Sequence, residues 1–201
     1  MQIIVVSNFL SKRIEYFIEA GKHLQVEVRF MTYGELFNCL PQLRQAVIKL
    51  EPCVSDETNF LKYALLNQAY KETLQRLGGI RLSDDVSFLN TPHALLRALD
   101  KKETKQVLVD RGLRVTPMLP SPRSFDELRE LLTGCGRGCF LKPRYGSGAG
   151  GVMAIRYQPN RNKWVVYTTL QQVDGVIHNT KRIHRLSTEK EMIPLLSLIH
   201  I

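Results

Sequence analysis

Apolar residues in the first eighty positions switch between the spacing of strands and the spacing of helices. Residues 3–6 form a compact run of β-branched side chains, which predicts a strand. Residues 12–24 carry apolar side chains three and four apart, which predicts a helix. By the same criteria we predict strands at residues 25–30 and 46–50, and a helix at residues 61–77 that ends at Gly78 and Gly79. This order predicts a small open sheet with covering helices, an α/β arrangement.

Polar residues follow the first predicted strand. Ser7 and Asn8 could face a ligand, because ligands of open α/β sheets bind at the carboxyl ends of the strands. Equally, these residues or Ser11 could cap the helix that follows, since serine and asparagine are preferred N-cap residues. We favour the capping interpretation.

A glycine-rich segment at residues 140–152, FLKPRYGSGAGGV, carries the candidate chemistry. It offers an ammonium group with three donors, and its glycines allow the backbone to turn N–H groups toward an anion. Its lysine precedes the glycines, unlike the lysine of a Walker loop, and no GxGxxG opens a helix. A phosphate-binding loop is one interpretation, and a flexible hairpin connection with a solvated lysine is the other. The candidate anion-binding residues are Lys142, Ser147, Gly148, Ala149 and Gly150.

A second segment, at residues 88–117, reads FLNTPHALLRALDKKETKQVLVDRGLRVTP. It changes the interpretation of the glycine-rich segment. Together the two segments resemble the ATP-grasp superfamily, in which an asparagine and a proline precede a helix and an Asp-Lys pair ends it. A second helix then leads to a Gly-x-x-Val-Pro-like turn, from which this chain departs by one inserted threonine. The resemblance runs from about Ser87 to Tyr167. The matching residues are Asn90, Pro92, Asp100, Lys101, Thr104, Gly112, Val115 and Pro117.

The resemblance implies a role for two lysines. In the family, the lysine after the aspartate and the lysine before the glycine-rich loop both bind nucleotide phosphates, which corresponds to Lys101 and Lys142. Two converging ammonium groups suit the several negative charges of a triphosphate. The neighbouring Lys102 belongs to the same mixed run of charges, and such runs are usually a solvated helix face.

The resemblance also implies a domain organisation. We expect a small open-sheet α/β domain at residues 1–86 and the first part of an α+β ATP-grasp domain at residues 87–195. The family holds Mg²⁺ with acidic residues followed by asparagine, whereas only Asp174, Glu189 and Glu191 follow Tyr167 here. We therefore expect the Mg²⁺ ligands and the adenine hinge in a part of the protein beyond this chain.

The last six residues, 196–201, read LSLIHI. They resemble the translation of a transposon-end adapter used in sequencing libraries. On this interpretation the natural chain continues beyond Leu195. An ordinary apolar tail that docks as a short strand is the alternative.

For the longer protein, the resemblance implies ATP-dependent ligation of a small-molecule carboxylate to an amine or a similar nucleophile through an acylphosphate. A nucleotide-binding module without catalysis is the first alternative. A basic RNA-associated protein is the second, because the formal net charge is +9. We expect no nucleic-acid partner, since basic residues are spread among acids and aromatic residues do not interleave with lysines. The most basic stretches are 156–163 and 181–185, and the first of them suits a solvated hairpin.

Cysteine, histidine and hydropathy patterns limit other classes of function. The four cysteines are too scattered for a disulfide scaffold, and Cys135 and Cys139 predict a helix-to-strand turn rather than a metal site. The five histidines show no ligand spacing. No apolar run reaches the roughly eighteen residues of a spanning helix, and the N-terminus lacks the basic lead-in of a secretory signal. These patterns predict a cytoplasmic protein.

Overall fold

The computed structural model describes residues 1–53, 55, 57–136, 138–146 and 149–196 of the chain. Two compact units divide it. The first contains residues 1–56 and 66–98, and the second contains residues 57–65 and 99–201. Each unit has a four-stranded sheet, one parallel and one antiparallel, so the predicted mixed α/β class is confirmed.

The first unit is built on a parallel sheet in the order β2-β1-β3-β4. Its strands are β1 (Gln2–Ser7), β2 (Glu27–Thr32), β3 (Ala46–Leu50) and β4 (Val86–Phe88). Its helices are α1 (Lys12–His23), α2 (Tyr33–Cys39), α3 (Phe60–Gly78), which begins in the second unit, and α4 (Pro92–Leu99). A short 3₁₀ turn at Leu40–Gln42 follows α2. It contains Pro41, which has no backbone N–H to donate and so does not continue an α-helix.

The predicted elements of this unit are confirmed, with two differences at their ends. Ile4, Val5 and Val6 are buried in the central strand β1, as expected for a parallel strand covered on both faces. Leu24, placed inside the first helix by its spacing, caps α1 and is 74% exposed. Gln25 has a φ of 55°, so the chain turns there and β2 begins only at Glu27.

The second unit is built on an antiparallel sheet in the order β5-β6-β7-β8. Its strands are β5 (Cys139–Leu141), β6 (Met153–Gln158), β7 (Lys163–Val173) and β8 (Val176–Leu186). Its helices are α5 (Lys101–Asp110), α6 (Phe125–Cys135) and α7 (Glu189–Leu196). The predicted hairpin is present, with a 3₁₀ turn at Pro159–Arg161 joining β6 to β7.

The core of the second unit lies between one face of this sheet and the helices α6 and α7. Alternate residues of β6 and β7, such as Ile155, Trp164 and Val166, are buried on that face. Leu132 of α6 and Met192 of α7 are buried in the same cluster. Each such side chain contributes about 1.5–3 kcal/mol to stability through burial. The residues between these buried positions lie on the other face of the sheet.

Cys135 and Cys139 take the positions predicted for a turn. Cys135 ends α6, Gly136 adopts the left-handed C-cap conformation with a φ of 59°, and Cys139 begins β5. Burial raises the pKa of the Cys139 thiol. Among the described residues the cysteines form no disulfide.

Candidate functional site

The glycine-rich loop connects β5 to β6 in the second unit, starting at Lys142 and ending at Val152. Two predicted anion-binding residues, Ser147 and Gly148, lie outside the described residues. The others, Lys142, Ala149 and Gly150, are described. The described part of the site therefore consists of the two ends of this loop, residues 142–146 and 149–152.

Lys101 contacts the first half of the loop. Its ammonium Nζ donates to the carbonyl oxygen of Gly146 at 2.8 Å, and its backbone N–H donates to the carbonyl oxygen of Arg144 at 3.1 Å. Lys101 is the first residue of α5, so the helix start and the loop are joined by two hydrogen bonds. The structure thus brings together the two segments that the sequence placed about forty residues apart.

Lys142 lies near the same point. It is exposed, and its Nζ lies 5.5 Å from the centre of the Phe140 ring. Partial burial and then the nearby positive charge of Lys142 lower the pKa of Lys101, although the Asp100 charge opposes this change. Two ammonium groups close enough to affect one another form a cationic site, and such pairs are typical of anion-binding positions.

Asp100 and Arg144 form an ion pair beside Lys101 that the sequence did not predict. Arg144 Nε donates to Asp100 Oδ1 and Oδ2 at 3.0 and 2.9 Å, and its Nη2 donates to Oδ2 at 2.6 Å. The Asp100 side chain is only 5% exposed and also caps α5, since Oδ1 accepts from the N–H groups of Lys102 and Glu103. The hydrogen bonds from Arg144 lower the pKa of Asp100 to about 2. This pair fixes the loop to the start of α5.

Two glycines of the loop serve close packing. A Cβ at Gly150 would lie 2.9 Å from Tyr63 Cε1, and a Cβ at Gly151 would lie 2.7 Å from Phe60 Cζ. Gly151 also has a φ of 71°, which other residues adopt only at a cost. The first turn of α3 therefore packs directly against the end of the loop.

Ala149 departs from the usual preference at such positions, because it has a φ of 59° without being glycine. Thr169 Oγ1 donates to its carbonyl oxygen at 3.5 Å and to Asn179 Oδ1 at 2.7 Å. The N–H of Gly151 also donates to Asn179 Oδ1, at 3.5 Å. The two polar side chains thus hold the second half of the loop.

Regular alternation along β7 explains why Thr169 can reach the loop. Thr168 and Leu170 on either side of it are buried, so Thr169 lies on the opposite face of the strand. The register of β7 and β8 shifts here, since Thr168 pairs with His184 and Leu170 with Asn179, and Asn179 is the residue to which Thr169 donates. The alternation can be predicted from the sequence, but the strand pairing that brings Asn179 to this point cannot.

The charged residues next to Lys101 have different environments. Lys102 is exposed, while Lys105 Nζ donates to the carbonyl oxygen and Oγ1 of Thr116 at 3.1 and 2.8 Å. Thr104 donates its backbone N–H to the carbonyl oxygen of Asp100 at 2.8 Å. Within this run, Lys101 is the lysine with a described contact to the loop.

The polar residues at the parallel sheet have structural contacts. Ser11 caps α1 by accepting from the N–H of Ile14, which confirms the favoured capping interpretation. Asn90 Oδ1 accepts from the N–H of Leu50 at 3.3 Å, and Asn90 Nδ2 donates to the carbonyl oxygen of Leu50 at 3.1 Å. Asn90 therefore extends the pairing of β3 with β4.

The three acidic residues near the end of the chain have different structural roles. Glu189 Oε1 accepts from Arg129 Nη2 at 2.8 Å and from Trp164 Nε1 at 3.2 Å. Glu191 accepts from the N–H groups of Ser187 and Thr188 before α7, which lowers its pKa. Asp174 lies in the β7–β8 turn with a φ of 49°. No three histidine, cysteine or acidic side chains come together among the described residues to hold a metal ion.

Comparison with protein-family models and with curated proteins gives no match for this chain. Within the described parts of the chain, no helix has the length and apolar character needed to cross a bilayer.

Proposed function

We propose that the second unit binds the phosphate groups of ATP between Lys101, Lys142 and the backbone of residues 146–151. The observation that carries the proposal is the placement of the Lys101 ammonium group on the loop, with the charge of Lys142 near enough to lower its pKa. Like charges that are held together cost stability unless an anion neutralises them. A triphosphate supplies that neutralising charge.

Each group of the site has a separate task in this proposal. An ammonium group has three donors, so Lys101 can keep its bond to Gly146 and still donate to a phosphate oxygen. Lys142 is exposed on the same loop and supplies the second cation. Ser147, Gly148, Ala149 and Gly150 supply hydroxyl and backbone N–H donors, in the role that the resemblance to ATP-grasp enzymes implies.

The resemblance extends the proposal to a reaction in the longer protein. A small-molecule carboxylate attacks the γ-phosphate of ATP and forms an acylphosphate with release of ADP, and an amine then displaces phosphate. Positioning and charge stabilisation by Lys101 and Lys142 would supply the contribution of this part of the chain.

A nucleotide-binding module without catalysis is the second candidate. It is favoured by the separation of Asp174, Glu189 and Glu191, because Mg²⁺ needs several oxygen ligands at one point. The described residues do not fit a Mg²⁺ site, and we assign them no step that involves the metal.

The test is the affinity of the chain for a fluorescent ATP analogue in the wild type and in three lysine variants. Lys101→Ala and Lys142→Ala should each weaken binding about 10- to 100-fold, the effect of losing one charge-assisted hydrogen bond. Lys102→Ala removes an equal charge from an exposed neighbouring position and should leave affinity nearly unchanged. Equal effects of Lys101→Ala and Lys102→Ala would contradict the proposal.

A further inference from the structure

Strand pairing places two aromatic side chains and an arginine in one row of the antiparallel sheet. Phe140 pairs with Ala154, Ala154 with Tyr167, and Tyr167 with Arg185, so the row crosses all four strands. Phe140 is 72% exposed and Tyr167 is 49% exposed. We call the face that carries this row the outer sheet face.

The outer sheet face is opposite the core. Along β7, Trp164, Val166 and Leu170 are buried against the core, whereas Tyr167 between them is exposed. Aromatic side chains that remain exposed contribute little to the stability of the fold, because that stability comes from burial. Two of them in a single row instead indicate an interaction surface.

The charge of the four strands is all of one sign. None of the residues in β5, β6, β7 and β8 is acidic. Arg156 and Arg185 are exposed, as is Lys163 on the same alternation as Tyr167. Lys142 follows β5, with its ammonium group over the Phe140 ring. The outer sheet face thus combines stacking surfaces with cations and has no acidic strand residue to oppose them.

In contrast to the expectation from the sequence, we propose that the outer sheet face binds single-stranded nucleic acid, because strand pairing brings the dispersed aromatic and basic residues together. Unpaired bases stack on Phe140 and Tyr167, and Arg156, Lys163 and Arg185 neutralise the phosphates between them. Antiparallel strands lie about 4.8 Å apart, so the backbones that carry the two rings are about 10 Å apart, with the small side chain of Ala154 between them. That separation leaves room for a base beside either ring.

Single strands suit this surface better than duplexes. Bases in a duplex are already stacked and present only their edges, so exposed rings on a sheet gain nothing from them. Lys142 belongs both to this surface and to the glycine-rich loop. Tyr167, Arg156 and Arg185 belong to the strands alone, so substitutions there test the surface without changing the proposed ATP ligands.

The test is fluorescence anisotropy with labelled RNA and DNA single strands of about twelve nucleotides, and with the matching duplex. The single strands should bind at about 50 mM salt, more tightly than the duplex, and weaken steeply at about 200 mM salt. Phe140→Ala and Tyr167→Ala should each weaken binding about tenfold, while Phe140→Tyr and Tyr167→Phe should retain it. The RNA and DNA arms show which strand is preferred.

The contribution of the arginine charges is tested separately, with a control pair of arginines. Arg156→Gln with Arg185→Gln should reduce the salt dependence by about two released ions. Arg111→Gln with Arg114→Gln removes the same charge from exposed positions outside the strands of the same unit and should have a smaller effect. The proposal is overturned if single strands do not bind, if the alanine variants bind like the wild type, or if both arginine pairs have equal effects.

Discussion

The two sheets of this protein differ in how the charged groups at their strand ends are compensated. At the parallel sheet, buried Glu51 follows β3 and forms ion pairs with Arg13 and Lys49. Asn90 bonds to the backbone of β3, and Ser11 caps a helix. These polar groups have partners within the same unit, so their contacts explain their presence.

At the antiparallel sheet, charge is brought together without equal compensation. Partial burial, and then the positive charge of Lys142 on the loop after β5, lower the pKa of Lys101. The charge of Asp100 offsets this change in part, and Asp100 is also engaged in its bidentate pair with Arg144. The difference is that these polar groups at the parallel sheet have described partners, whereas two like charges meet at the antiparallel sheet with partial compensation.

We expect the largest loss of stability from removing the ion pair between Asp100 and Arg144, which holds the loop. Asp100→Ala should lower the free energy of unfolding of the second unit by about 3 kcal/mol, because it removes a helix cap and leaves Arg144 without its partner. The Arg144 side chain is 54% exposed, which keeps the loss at the lower end for buried pairs. Urea unfolding followed by the fluorescence of Trp164, the single tryptophan, measures this unit.

Asp110→Ala is the matched control for that experiment. Asp110 is an exposed residue at the other end of α5, where a negative charge opposes the helix dipole. Its loss should change stability by less than about 0.5 kcal/mol. Similar effects of the two substitutions would show that the Asp100 pair does not anchor the loop.

The next effect concerns the close packing of the loop on α3. Gly151→Ala should destabilise the second unit by about 2–3 kcal/mol, since a Cβ would meet Phe60 and Pro143 at a φ of 71°. Gly112→Ala has a similar φ of 73° but open space around it, and should cost only about 1 kcal/mol. The same unfolding measurement compares them, and equal losses would mean that the packing contributes nothing.

Lowering the pH should have a smaller effect on the stability of the second unit. The pKa of Asp100 is lowered from its ordinary 3.8 to about 2, so its pair stabilises the folded state above about pH 4. This stabilisation, about 2 kcal/mol, is lost as pH falls through about 2. The difference in unfolding free energy between wild type and Asp100→Asn should shrink over that interval. A difference that stays constant from neutral pH to about pH 2 would contradict the assigned cause.

Sequence pattern predicted the local elements of the fold well. The β-branched run of β1 and the apolar spacing of α1 and α3 reflect burial by neighbours close along the chain. β4 was not predicted, because its three residues are too short to show a period. Lys142 was predicted from the glycine-rich segment that it precedes, and Lys101 only from the resemblance; periodicity indicated neither.

Contacts between distant residues could not be predicted in this way. Asp100 and Arg144 are separated by 44 positions, and nothing in either local sequence specifies the other. The row from Phe140 to Arg185 exists only once three strand pairings are fixed, so its aromatic and basic residues look dispersed in the sequence. Strand register is set by the whole buried face of a sheet, which a linear pattern shows only in part.

The measurement that tests the central claim most directly is amide hydrogen exchange of the whole chain with and without ATP and Mg²⁺. Binding should slow exchange in residues 142–152 and at the start of α5, where Lys142 and Lys101 supply the two cations of the proposed site. Residues 7–11 at the parallel sheet should be unaffected, since their contacts are structural. Slowed exchange at residues 7–11 with no change at residues 142–152 would contradict the account.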